Sequence, residues 1–152
     1  MTHWRLAALV TTTIVALPTL VLSSCSAPGG PDRAALEASA TTRILTIPTT
    51  SPEKYRSMID KKGWRNPYLI IKTGGVALLD PDNHEERLLK PEELTQALGN
   101  LPPSAWPYGR VVAVTENSVR APGDGVLIRK NRALVAGTLE SLHVLMNWIP
   151  PA

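Results

Sequence analysis

Tyr68-Leu69-Ile70-Ile71-Lys72-Thr73-Gly74-Gly75-Val76-Ala77-Leu78-Leu79 is the stretch whose reading decides the fold. Two short apolar runs flank a Gly-Gly pair. Runs of this length bounded by glycine read as strands, and two of them around a two-residue glycine turn read as a β-hairpin. On its C-terminal side, Asp80-Pro81-Asp82-Asn83 makes a further turn and Arg87 to Leu89 a short third strand. Pro91-Glu92-Glu93 then opens a helix, because proline suits the first helical position and acids suit the positive end of the helix dipole. Leu94, Ala97 and Leu98 form its inner face, Gly99 ends it, and Pro102-Pro103 breaks the chain.

On the N-terminal side, Arg43 to Pro48 reads as a short β-type run. Ser51-Pro52-Glu53 carries the signature of a helix start, with Tyr55, Met58 and Ile59 at helical spacing, Lys61 and Lys62 at the C-terminal end, and Gly63 as the stop. Further along, Arg110 to Thr115 reads as a strand, Pro122-Gly123-Asp124-Gly125 as a turn, and Val126 to Arg129 as another strand. Asn131 suits the cap of a helix running to about Leu142, with Val135, Leu139 and Leu142 inward. His143 to Trp148 closes as a strand with Val144, Met146 and Trp148 on one face. Helices interspersed with hairpins and strands predict an α+β fold: a two-layer sandwich, one mixed β-sheet with about three helices packed on it. No phenylalanine occurs among the 152 residues, so aliphatic side chains and tryptophans must fill the core.

The N-terminus has a different character. Met1 to Arg5 carries a positive charge, and Leu6 to Leu22 holds no charged residue. A basic start, an apolar stretch and small residues before a cut are the physical requirements of a secretory signal peptide. Thr11, Thr12, Thr13 and Pro18 dilute the stretch, which is shorter than a comfortable membrane span, so a retained transmembrane helix is the second reading. The stretch ends in Leu22-Ser23-Ser24-Cys25, and Cys25 is the only cysteine. No intramolecular disulfide can form, and a lone exported cysteine otherwise implies an intermolecular bridge or a reactive thiol.

These four residues resemble the lipobox of bacterial lipoproteins: an aliphatic residue, two small residues, then cysteine. The resemblance implies that residues 1–24 are cleaved and that Cys25 receives a diacylglyceryl thioether, two chains being what stable anchoring takes. It implies a cell-envelope location held by the lipid. Ser26 in place of aspartate favours the periplasmic face of an outer membrane where the organism has one, and otherwise the outer face of the plasma membrane. Residues 25–42, Pro-Gly-rich and then alanine-rich, read as a lipidated N-terminus and flexible tether, leaving 43–152 as a single globular domain.

Charge points to no polyanionic partner. The formal net charge is +3, and cleavage would remove one of 16 Lys and Arg and none of 13 Asp and Glu. Nucleic-acid binders show a basic face or stripe, so nucleic acid is not an expected partner. No metal-ligand spacing, nucleophile elbow or phosphate-cradling glycine loop is present, and neither a cofactor nor a catalytic set is expected. His84 lies in the acidic turn Asp82-Asn83-His84-Glu85-Glu86 and reads as solvated; His143 begins a strand. Two features stand out for binding. Arg129, Lys130 and Arg132, at the expected helix start, suit either an anion or a solvated turn. Trp106 and Tyr108, beside prolines, suit either a plug over the core or, if exposed, a partner contact.

From Tyr68 to Trp148 the element order is similar to the periplasmic domain of the ExbD/TolR family. Pro91-Glu92-Glu93-Leu94 and Tyr108-Gly109-Arg110-Val111-Val112 carry that resemblance. That family has a membrane helix with an essential acid, and this leader has none. The resemblance therefore implies a fold and no functional residue. The expected function is a membrane-anchored envelope lipoprotein acting as a non-enzymatic binding or assembly module, with an envelope protein or the cell wall as partner. The alternative is a small ligand-binding protein or enzyme.

Overall fold

The structure, a computed structural model, describes residues 32–58, 63–80 and 85–150. The leader, Cys25 and His84 lie outside the described residues. Five strands form one mixed sheet: β1 (Tyr68–Lys72), β2 (Gly75–Leu79), β3 (Glu86–Leu89), β4 (Val111–Glu116) and β5 (Leu145–Trp148). Their order is β3-β2-β1-β4-β5. The hairpin forms as expected, pairing Tyr68 with Leu79 and Lys72 with Gly75, and β3 adds antiparallel to β2. β4 lies parallel to β1, and β5 parallel to β4. Gly75 has a φ of +145°, and a Cβ there would sit 2.2 Å from the Leu89 carbonyl oxygen, so the tight turn needs glycine.

Helices α1 (Arg33–Thr46), α2 (Leu94–Gly99) and α3 (Asp124–Ser141) contribute to one core with one face of the sheet. Strand alternation sends Leu69, Ile71, Val76, Leu78, Val112 and Val114 to that face. Ile44, Leu94, Leu98, Val135 and Leu139 meet them from the helices. This is the expected α+β arrangement. The opposite face is also covered: Tyr68, Ile70, Ala77, Leu79, Val111 and Ala113 pack under Trp64, with Tyr55, Met58 and Tyr108 beside it. Trp64 stacks edge-on with Tyr55 at 5.9 Å and with Tyr108 at 5.5 Å between centroids.

Four local expectations are corrected. The run Arg43 to Pro48 is not a strand but the end of α1, and residues 33–42, expected in the tether, are most of that helix. Helical structure thus starts at Arg33, ahead of Arg43. Asp32 caps α1 by accepting from the Ala34 N–H at 3.1 Å, and Ala40 and Ile44, one turn apart, are fully buried. An isolated alanine-rich helix this short is marginal, and packing on α2 is what stabilises it. The helix expected from Ser51 is a single 3₁₀ turn, Pro52–Lys54, within the described part of that stretch; Ile59, Lys61 and Lys62 lie outside the described residues.

The third and fourth corrections concern α3. Val126 to Arg129 is not a strand, and Asn131 is not a cap, because α3 starts at Asp124. Gly123 turns the chain at a φ of +94°, and the Asp124 carboxylate accepts from the Arg120 and Ala121 N–H groups, which folds the turn directly into helix. Ile128, Asn131, Val135 and Leu139, at spacings of three and four, are its buried stripe. Asn131 acts in the interior: its amide donates to the Lys72 and Thr73 carbonyls at 2.7 and 3.1 Å, tying α3 to the β1–β2 turn.

Burial pushes the Tyr68 phenol above its ordinary value of 10.0, outweighing the opposite pull of the Thr115 side chain. With the folded pKa above the unfolded one, the unfolded chain gives up this proton first as pH rises. The stability contribution is therefore intact below about pH 10 and is lost progressively above it. Tyr68→Phe should flatten that alkaline decline, read from urea melts taken between about pH 8 and about pH 11. An unchanged slope would assign the decline to other groups.

Candidate functional site

The parallel strands end together, and that places the site. The register Val111↔Leu145 through Val114↔Trp148 brings the chain out of β4 at Glu116 and out of β5 at Trp148 on one edge of the molecule. In open sheets the crevice outside the carboxyl ends of parallel strands is where ligands bind. Here that crevice is an open cleft of about 430 Å³ lined by Glu116, Asn117, Ser118, Arg132, Trp148 and Pro150.

Each side chain arrives by a different route. The Asn117 N–H donates to the Ile71 carbonyl at 2.8 Å, which holds the loop after β4 against β1. Arg132 lies one residue past the buried Asn131, on the flank of α3, and its Nη1 donates to Glu116 Oε1 at 3.1 Å. The two side chains are 46% and 33% exposed, so the pair contributes at most about 1 kcal/mol to stability. Its effect is to hold a cation and a carboxylate side by side at the rim with their charges balanced. Trp148 is 48% exposed.

The exposure of Trp148 follows from sheet order. β5 is an edge strand, so only one neighbour covers it. Leu145 and Ile149 direct their N–H groups to the carbonyls of Arg110, just before β4, and of Val114 within it. By alternation, the N–H and C=O of Met146 and Trp148 point off the open edge. The other edge strand, β3, carries Glu86 and Arg87, and Glu86 pairs with Lys72. Edge charges of this kind block unwanted pairing. The Leu145-Met146-Asn147-Trp148 edge carries none.

The expected site residues are dispersed. Arg129, Lys130 and Arg132 lie beyond the first turn of α3, not at its exposed N–H groups, so the anion argument built on the helix start fails for them. Arg129 and Lys130 point to solvent, and Arg132 alone lines the cleft. Trp106 is 4% exposed in the helix-side core, and Tyr108 goes to the opposite face, its N–H donating to Asn66 Oδ1 at 2.9 Å. The two aromatics straddle the sheet as a plug, which removes Trp106 as a surface contact. Trp106 also lines a smaller hollow of about 280 Å³ with Arg43, Ile47 and Leu98, and its indole N–H finds no acceptor among the described residues. His143 is exposed in the turn before β5 at a φ of +52°.

Reasoning from sequence missed Glu116 and Trp148. The alternation in β5 placed Trp148 on the same face as Val144 and Met146, as it is, but only the strand's edge position leaves it half open. Compared with family models, with curated proteins and with solved structures, the chain matches none.

Proposed function

We propose that the protein is a lipid-anchored lipoprotein of the cell envelope that acts as a non-enzymatic binding or assembly module, docking its partner at the cleft between β4, α3 and β5. The observation that carries the docking reading is Trp148, half exposed on an uncharged free edge beside the Glu116–Arg132 pair. Tryptophan and arginine are the residues most often found as binding anchors, and a large aromatic left in water gains most from being covered. The anchor rests on Leu22-Ser23-Ser24-Cys25 after a basic start and an uncharged stretch, Leu6 to Leu22. A tethered domain with an open cleft suits capture of a neighbouring envelope component.

Fractionation of the native cells tests the anchor. Wild-type protein should pellet with membranes and incorporate labelled palmitate. Cys25→Ala should lose the label and be retained, if at all, only through an uncleaved leader, visible as a heavier band. Label that persists in Cys25→Ala would overturn the lipoprotein reading.

A further inference from the structure

We infer that the cleft binds a neutral pyranose carrying an acetamido group, the sugar chemistry of an N-acetylated glycan. This rests on the docking reading above and names the ligand of that same site. A pyranose presents two different surfaces. One is a patch of C–H groups that stacks on an aromatic ring; the other is a rim of hydroxyls, each both donor and acceptor. The cleft offers the complement of both. Trp148 supplies the half-exposed ring. Around it, Glu116 supplies a carboxylate acceptor, Arg132 a guanidinium donor, and Asn117 and Ser118 an amide and a hydroxyl that do either.

Charge narrows the class. Arg132 and Glu116 lie 3.1 Å apart and neutralise each other, so a phosphate or a carboxylate gains little there, whereas a hydroxyl can bridge the two. Planar paired groups held by one another are also preorganised, which lowers the entropic cost of binding a small polar ring. The open edge supplies the last element. The outward N–H and C=O of Trp148 meet no neighbouring strand among the described residues and lie beside its own ring, and an acetamido group, carrying one acceptor and one donor, can take the N–H with its carbonyl or meet the C=O with its own N–H. A cleft of about 430 Å³, open rather than enclosed, takes a sugar within a chain without having to admit a free end.

The test titrates tri-N-acetylchitotriose, with cellotriose as the sugar lacking acetamido groups, into the full-length protein in detergent micelles, read by calorimetry. Saturable binding of the acetylated trimer is expected, with cellotriose weaker. Trp148→Ala should weaken it by about tenfold or more, the scale of one aromatic contact, while Trp148→Tyr keeps most of it. Arg132→Gln should weaken it as well, and serves as an independent variant should Trp148→Ala melt early. Leu36→Ala, on the outer side of α1, should change nothing. Absence of saturable binding at millimolar trimer, affinity unchanged in Trp148→Ala, or Trp148-dependent capture of a protein in place of glycan would each overturn the assignment. Equal affinity for cellotriose would overturn its acetamido part. Membrane fractionation reads the anchor separately, so failure here leaves that reading standing.

Discussion

Asn66→Ala should cost the fold about 3 kcal/mol or more, far beyond what its size implies. Asn66 is 3% exposed, and its side chain makes three bonds to backbone: its amide donates to the Gly109 and Val111 carbonyls, both at 2.7 Å, and its carbonyl accepts from the Tyr108 N–H at 2.9 Å. Truncation removes the Asn66 partner of the Val111 carbonyl and of the Tyr108 N–H at the junction of β1 and β4, while the Gly109 carbonyl keeps the Val111 N–H at 2.8 Å. Each buried group so stranded costs about 1–3 kcal/mol, against a domain total of about 5–15 kcal/mol. Asn66→Asp should be at least as damaging, because it turns a carboxylate oxygen toward two carbonyls. Urea melts of the two variants check this, and a loss under about 1 kcal/mol would mean that water takes over the stranded groups.

Gly99→Ala is the second large expected effect, about 3 kcal/mol at the upper end of overpacking. A Cβ at position 99 would lie 2.7 Å from both Cα and Cβ of Ala40 and 2.8 Å from its carbonyl oxygen. Those are mostly backbone contacts, so relief requires α1 to move off α2. That displacement uncovers Ile44, fully buried at present, and disturbs the bond from Arg43 Nε to the Gly99 carbonyl at 2.7 Å. Melts should show the loss, and proteolysis should cut within residues 33–46 sooner than in wild type. Ala40→Gly should rescue only part of it, since the Cα and oxygen contacts persist, and a double-mutant cycle reads that coupling. Equal stability would show that the two helices can part without loss.

Both effects depend on pairs far apart in the chain, and this marks where reading the sequence stops. The central hairpin, β4 and β5 are legible because each is a short apolar run between turn residues, signals that act within a few positions. The start of the second helix is legible for the same reason, Pro91-Glu92-Glu93 forming a 3₁₀ turn that feeds α2. Ile44-Leu45-Thr46-Ile47 and Val126-Leu127-Ile128 are different. Short aliphatic runs have no decisive period, and both were expected as strands. Ala40 and Ile44 find α2, and Ile128 the sheet, and that packing selects helix. Tertiary contact overrides local β preference whenever burial of a helical stripe is worth more.

The site divides in the same way. Arg132 was visible as one of three basic residues, but its partner Glu116 is 16 positions away and is reached only through the β4–α3 turn. Trp106 and Trp148 look alike in sequence, each an aromatic near a proline. Topology buries one under the helices and leaves the other at an edge. What the sequence by itself determined is therefore the local grammar: the hairpin, the strands that flank it, the α+β class, and an uncharged stretch, Leu6 to Leu22, ahead of a single cysteine. What only the tertiary structure decided is which strand stands at the edge, where two helices begin, and which charged and aromatic residues share a cleft. The physical reason is that turn and strand preferences are set by neighbouring residues. Exposure and ion pairing are set by what the rest of the chain places alongside.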